Sequence, residues 1–215
     1  NPARQAAVNA GINISKPAHI INQVCGSGLR AIISGYQSIK LGEVKCVISG
    51  GQENMSSAPH SIYYRESKKI SKDQLVDTMI NDGLIDAFNN YHMGVTAENI
   101  AKKFNISRQE QDQFALNSQD KTQNAINNNI FKEELIEINF NNKHLKKDEH
   151  PRENLTLVDL QKLKTVFKED GTVTAGNSSG INDGAAVLLL TSLEKAKKKI
   201  DGANCQNSFL GICRC

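Results

Sequence analysis

The run Asn22-Gln23-Val24-Cys25-Gly26-Ser27-Gly28-Leu29-Arg30 restricts the fold of this 215-residue chain more than any other stretch. The apolar pair Ile20-Ile21 leads into it, and Leu29, Ile32, Ile33, Tyr36 and Ile39 leave it at helical spacing. That pattern predicts a strand over 18–24, a tight turn, and a helix over 27–41. Gly26 and Gly28 supply the freedom a sharp turn needs and let a ligand come close to the backbone. Cys25 then falls where the strand hands over to the helix. The unpaired N–H groups and positive dipole end of a first helical turn favour a thiolate there, which makes Cys25 a candidate nucleophile. The alternative is a small cysteine buried at a strand end, the commoner fate of a free thiol.

Around that centre the chain alternates. Ala3, Ala6, Ala7 and Ala10 suggest a helix stopped by Gly11, and Val44 to Gly50 reads as a second, apolar strand buried on both faces, with Cys46 in the core. Strand, helix and strand in this order imply parallel pairing with a right-handed crossover. Residues 53–170 are polar and helix-rich, with strand signal only at Leu135-Ile136-Glu137-Ile138. Ser107-Arg108-Gln109-Glu110 is a capping box opening a helix with Phe114, Ala115, Ala125 and Ile126 on its apolar face, closed by Asn127-Asn128-Asn129. The apolar run Ala185 to Thr191 returns to a sheet, and Ser192 caps a short helix that ends in lysines.

Bulk properties exclude several function classes. A net charge of +3 with scattered lysines gives no reason to expect a nucleic-acid partner. No apolar run suits a membrane span, and no stretch of these residues reads as a secretory leader. The five cysteines follow neither a disulfide framework nor a zinc pattern, which points to a reducing cytoplasm. His144 and His150 flank Lys146-Lys147-Asp148-Glu149 at no zinc spacing and read as surface loop, so no metal is expected.

Four motifs in sequence carry a resemblance. They are Asn22 to Ala31, Gly50-Gly51-Gln52-Glu53-Asn54-Met55-Ser56, Tyr91-His92-Met93-Gly94-Val95-Thr96-Ala97-Glu98, and Gly171 to Ala185. In this order they resemble the thiolases, the acetyl-CoA acetyltransferase family, over residues 1 to about 200; Gln52 stands where the family often has methionine. The resemblance implies an α/β fold: the layered αβα amino-terminal half of a thiolase, incomplete at its start, with an inserted and mostly helical loop domain. Residues 1–52 and 171–202 would form the core and 53–170 the loop domain that covers coenzyme A. It implies Cys25 as acyl acceptor, His92, Met93 and Ser179 against pantetheine, and Arg152 near the adenine. Coenzyme A thioesters would be substrates, with no cofactor, and the assembly a homotetramer or, in the degradative branch, a homodimer.

The family's N-E-A-F, G-H-P and C-x-G-G-G motifs, which carry its activating asparagine and histidine and its second cysteine, do not occur in these residues. Three other readings therefore stand beside acetoacetyl-CoA synthesis: an inactive remnant, a degradative 3-ketoacyl-CoA thiolase, and a cysteine hydrolase on the C-G-S-G turn. Residues 203–215 lack periodicity, hold three cysteines, and read as out of frame, since a shifted frame permits L-I-A-R-I-V-S-W-A-Y-A-G. An exposed sheet edge and a bare apolar face are expected of the chain alone, and Cys46 is expected to react slowly.

Overall fold

The computed structural model describes residues 1–65, 71, 74–140 and 143–200. In chain order its elements are α1 (Pro2–Asn9), α2 (Ser27–Lys40), β1 (Cys46–Asn54), β2 (His60–Ser61), β3 (Val76–Asp77), α3 (Met93–Phe104), α4 (Arg108–Asn127), β4 (Ile138–Phe140), β5 (Lys143–Leu145), α5 (Leu157–Gln161), β6 (Asp183–Thr191) and α6 (Leu193–Ile200). They form two compact units, one of Asn1–Glu53 with the chain from Asp183 onward, the other of Asn54–Asn182. Residues 171–182 thus pack with the helical unit. The tail at 203–215, read as out of frame, lies outside the described residues.

In the first unit, the Asn1 side chain accepts from Arg4 N–H and Pro2 sits in the first turn, so α1 starts where its sequence allows. It ends ahead of Gly11, whose φ of +81° only glycine adopts freely. Strand β1 pairs with β6. Thr191 Oγ1 donates to Lys45 O at 2.9 Å, while a Cβ added at Gly50 would lie 2.1 Å from Ala186 O, so the two strands run in opposite directions. Helix α2 packs on this pair through Gly35. A Cβ there would meet Ser49 Oγ at 2.7 Å and Leu190 Cδ1 at 2.9 Å, and Ser49 Oγ itself donates to Ala31 O.

Three expectations for this unit need correction. Residues 18–24 form no strand beyond an isolated bridge between Gln23 and Cys25, because no described strand lies beside them to complete a ladder. The described partner of β1 is therefore the antiparallel β6, with no parallel crossover. Strand β1 is also not buried on both faces: Ser49 is its only buried residue, and Cys46 is exposed. The packing of α2 on the two strands does not cover both faces, which leaves Ile48, Val187, Leu188 and Leu189 between 52% and 70% exposed. The bare apolar surface expected from the sequence is present on β6.

The second unit is helical, with two small antiparallel pairs, β2 with β3 and β4 with β5. Ser107 and Glu110 cap α4 reciprocally, as their spacing requires, and Thr156 and Asp159 do the same for α5. Helix α4 buries Asp112 and half-buries Ala115, Leu116, Gln119 and Ile126, a stripe at helical spacing. Phe114, placed on that face by its apolarity, lies about 200° around the helix from Asp112 and is 78% exposed. The buried residues of this unit are Ala101, Leu160 and Val173 together with Glu98, Asp112, Thr174 and Gly94, a core as polar as it is apolar.

Candidate active site

Cys25 sits on a turn whose backbone is tied down residue by residue. Asn22 Oδ1 accepts from Val24 N–H at 3.0 Å, and Gln23 O accepts from Gly26 N–H at 3.0 Å. Ser27 Oγ donates to Val24 O at 2.6 Å while accepting from Gln23 N–H at 2.8 Å. Arg30 N–H then bonds Gly26 O as α2 begins. The thiol emerges exposed, two residues ahead of the first helical residue. An exposed cysteine at a helix start is open to an electrophile and lies where developing negative charge meets backbone N–H groups.

The other four candidates belong to the second unit. His92 is the N-cap of α3: its Nδ1 accepts from Gly94 N–H at 3.0 Å, so in the neutral ring Nε2 carries the proton. The ring stacks on Phe167, with centroids 4.6 Å apart and planes 20° from parallel. Met93 follows, 46% exposed, and with Ala97, Ile100 and Ile106 lines an apolar groove of about 420 Å³. Ser179 is exposed on the loop after Ser178, whose hydroxyl donates to Thr174 O at 2.6 Å. Arg152 is exposed, with its N–H on Gln119 Oε1 and no acidic partner for its guanidinium among the described residues. His150 packs against Gly180, where a Cβ would come within 2.6 Å of its Cε1, so a histidine read as plain surface loop borders the Ser179 turn.

What the sequence does not reveal is how the Ser179 loop is held. Glu98, on α3, accepts from Thr172 N–H and Val173 N–H, each at 2.8 Å, and from Thr172 Oγ1 at 3.0 Å. Asp112, on α4, accepts from Arg108 Nε at 2.7 Å and Asn177 Nδ2 at 3.0 Å, while Asn177 Oδ1 accepts from Thr174 N–H. Arg108 also donates to Leu160 O and Leu163 O. Two carboxylates on two helices thus pin residues 172–177 just ahead of Ser179. The only sequence signal is that Glu98 and Asn177 lie inside motifs; the partners are more than 60 residues apart.

Burial pushes the Glu98 carboxyl up, but the Val173 and Thr172 N–H groups, the Thr172 hydroxyl and the Lys168 charge outweigh it and hold Glu98 below its ordinary 4.5. A folded value below the unfolded one adds stability that is complete above pH 4.5 and is lost as pH falls through the folded value. Glu110 and Asp159, lowered by bonds from Ser107 and Thr156, act in the same direction. Urea midpoints measured from neutral pH downward should therefore begin to fall near pH 4.5, and Glu98→Gln should flatten that fall while lowering the neutral value.

Among the described residues no three His, Cys, Asp or Glu groups gather as a metal site, and no helix is long and apolar enough to cross a membrane.

Residues 1–194 match the family model of the thiolase N-terminal domain. The chain is 48% identical over 203 residues to an acetyl-CoA acetyltransferase of Pseudomonas aeruginosa, covering 92% of this chain and 52% of that protein. An acetyl-CoA acetyltransferase of Rhizobium meliloti is 47% identical over 205 residues, covering 93% and 52%. A Staphylococcus aureus protein named "Probable acetyl-CoA acyltransferase" is 48% identical over 204 residues, covering 92% and 52%. The chain spans about half the length of these curated relatives. A match over nearly all of the described residues, with the four motifs in order, places it without ambiguity: this chain belongs to the thiolase family.

Proposed function

We propose that this chain carries the acyl-accepting half of acetoacetyl-CoA synthesis, with Cys25 as the nucleophile. The Cys25 sulfur attacks the thioester carbonyl of acetyl-CoA, a C–S bond forms to Cys25, the bond to the coenzyme sulfur breaks, and free coenzyme A takes up the thiol proton. In the second half the α-carbon of another acetyl-CoA, stripped of a proton by a base, displaces Cys25 and yields acetoacetyl-CoA; thiolysis is the reverse. His92, Met93 and Ser179 hold the pantetheine arm and Arg152 lies near the adenine. The Nε2 donor left to His92 by its Nδ1 bond and the apolar groove beside Met93 suit a ligand of alternating amide and methylene groups. The reaction needs a reduced thiol, which suits a cytoplasmic setting, and assembly as a homotetramer or homodimer goes with the same reading.

The observation that carries this proposal is the exposed Cys25 on its hydrogen-bonded turn at the head of α2. A second reading, an inactive remnant, is favoured by the uncovered apolar side chains of β6. Mixing the chain with acetyl-CoA and following free coenzyme A and acetoacetyl-CoA by mass spectrometry separates the two. A single release of coenzyme A per chain, abolished by Cys25→Ser, is expected. No release at all from folded chain would contradict Cys25 as acyl acceptor and favour the remnant.

A further inference from the structure

We propose that Asn22 and Ser27 are positioning residues that hold the Cys25 thiol ready for attack by clamping Val24 in a backbone conformation that valine avoids. The proposal rests on the reading of Cys25 as acyl acceptor and deepens it.

Val24 has a φ of +48°. A β-branched residue in the left-handed region is a genuine outlier, and such strain persists only where the surroundings over-determine it. The remaining non-glycine residues with positive φ, among those described, are Asn90, Asn105, Asn129 and Asn154. Asparagine tolerates this region because its short amide bonds nearby backbone. Valine has no such group, so its neighbours must supply the bonds, and they supply them at both ends. Asn22 Oδ1 takes the Val24 N–H at 3.0 Å; the Ser27 hydroxyl and N–H take the Val24 carbonyl at 2.6 and 3.1 Å.

Packing within this chain does not hold Val24, since it is 57% exposed and Asn22 is exposed as well. The Ser27 hydroxyl does not cap α2, whose N-cap Gly26 has no side-chain bond; it also accepts from Gln23 N–H and so bridges the turn from side to side. The ψ of Val24 sets where Cys25 begins. Relaxation of Val24 to an extended conformation would swing the thiol away from the head of α2, and the two side-chain clamps oppose that swing.

The test uses the full 215-residue chain and iodoacetamide, with Cys25 and Cys46 read separately by mass spectrometry. In each event a cysteine sulfur displaces iodide, a C–S bond forms, and the thiol proton goes to solvent. Cys46 is exposed and serves as an internal reference in the same molecule. The unaltered chain should alkylate Cys25 faster than Cys46. Ser27→Ala should lower the Cys25-to-Cys46 rate ratio about tenfold, the order of the equilibrium a strained turn of this kind holds back. Asn22→Ala should act in the same direction and keeps the test open if one variant folds poorly. Ser27→Thr, which keeps the hydroxyl, should retain the ratio. Val24→Gly added to Ser27→Ala should restore it, because glycine adopts positive φ without a clamp. An unchanged ratio in both alanine variants, or a loss that Val24→Gly does not repair, would overturn the positioning role. A Cys25 no faster than Cys46 in the unaltered chain would instead overturn the reading of Cys25 itself.

Discussion

Asp112→Ala should destabilise the second unit by about 3–5 kcal/mol, the range found when one partner of a buried ion pair is removed. Asp112 is fully buried and holds Arg108 at 2.7 Å and Asn177 at 3.0 Å. Alanine leaves the Arg108 charge partly buried without its anion, and takes one of the two acceptors of the Asn177 amide group, leaving only Thr172 O. Arg108 keeps its bonds to Leu160 O and Leu163 O, which softens the loss without removing it. Urea unfolding followed by far-UV circular dichroism measures the change. Asp112→Asn keeps the shape and one acceptor and should cost less. The effect reaches the Ser179 loop because Asn177 is what fixes Thr174, five residues ahead of Ser179.

Gly94→Ala is expected to have the second large effect. A Cβ at Gly94 would lie 2.2 Å from Cγ and Cδ2 of Phe167, a ring that cannot bend away at its tip. Helix propensity opposes the clash, since alanine is favoured over glycine by about 1 kcal/mol in a helix interior. That gain is smaller in the first turn, where Gly94 stands, and overpacking costs about 1–3 kcal/mol, so the clash wins. Displacing Phe167 removes the ring on which His92 stacks. The chain should lose stability in urea, and the coenzyme A binding proposed above, read by titration calorimetry, should weaken.

Local signals were legible and long-range ones were not. Helix α2 begins at Ser27 and ends at Lys40, within a residue of its expected bounds, because apolar spacing and flanking glycines are local facts. The Ser107–Glu110 capping box is equally local, whereas the role of His92 as N-cap of α3 was not read from the sequence. The strand expected at 18–24 failed because strand formation depends on a partner, which Ile20-Ile21 cannot supply. Cys46 is exposed for a related reason: an apolar sequence makes a strand fit to be buried but does not provide the layer that buries it. Phe114 misled because the inward stripe of α4 is set by Asp112, a charged residue that hydropathy places outside. The Glu98 and Asp112 clamps on residues 172–177 join positions brought together only by folding. In the site, residue types and motif order pointed to Cys25, while the strained Val24 beside it is a property of φ that composition does not display.

The central claim, that Cys25 accepts the acyl group, is tested most directly by trapping the acyl-enzyme. The chain is incubated with acetyl-CoA, quenched in acid, digested and sequenced by mass spectrometry. One added acetyl group on the peptide containing Cys25, lost on treatment with hydroxylamine and absent from Cys25→Ser, is the predicted result. Acetyl groups spread equally over Cys25 and Cys46, or none on Cys25 in a chain that melts cooperatively, would contradict it.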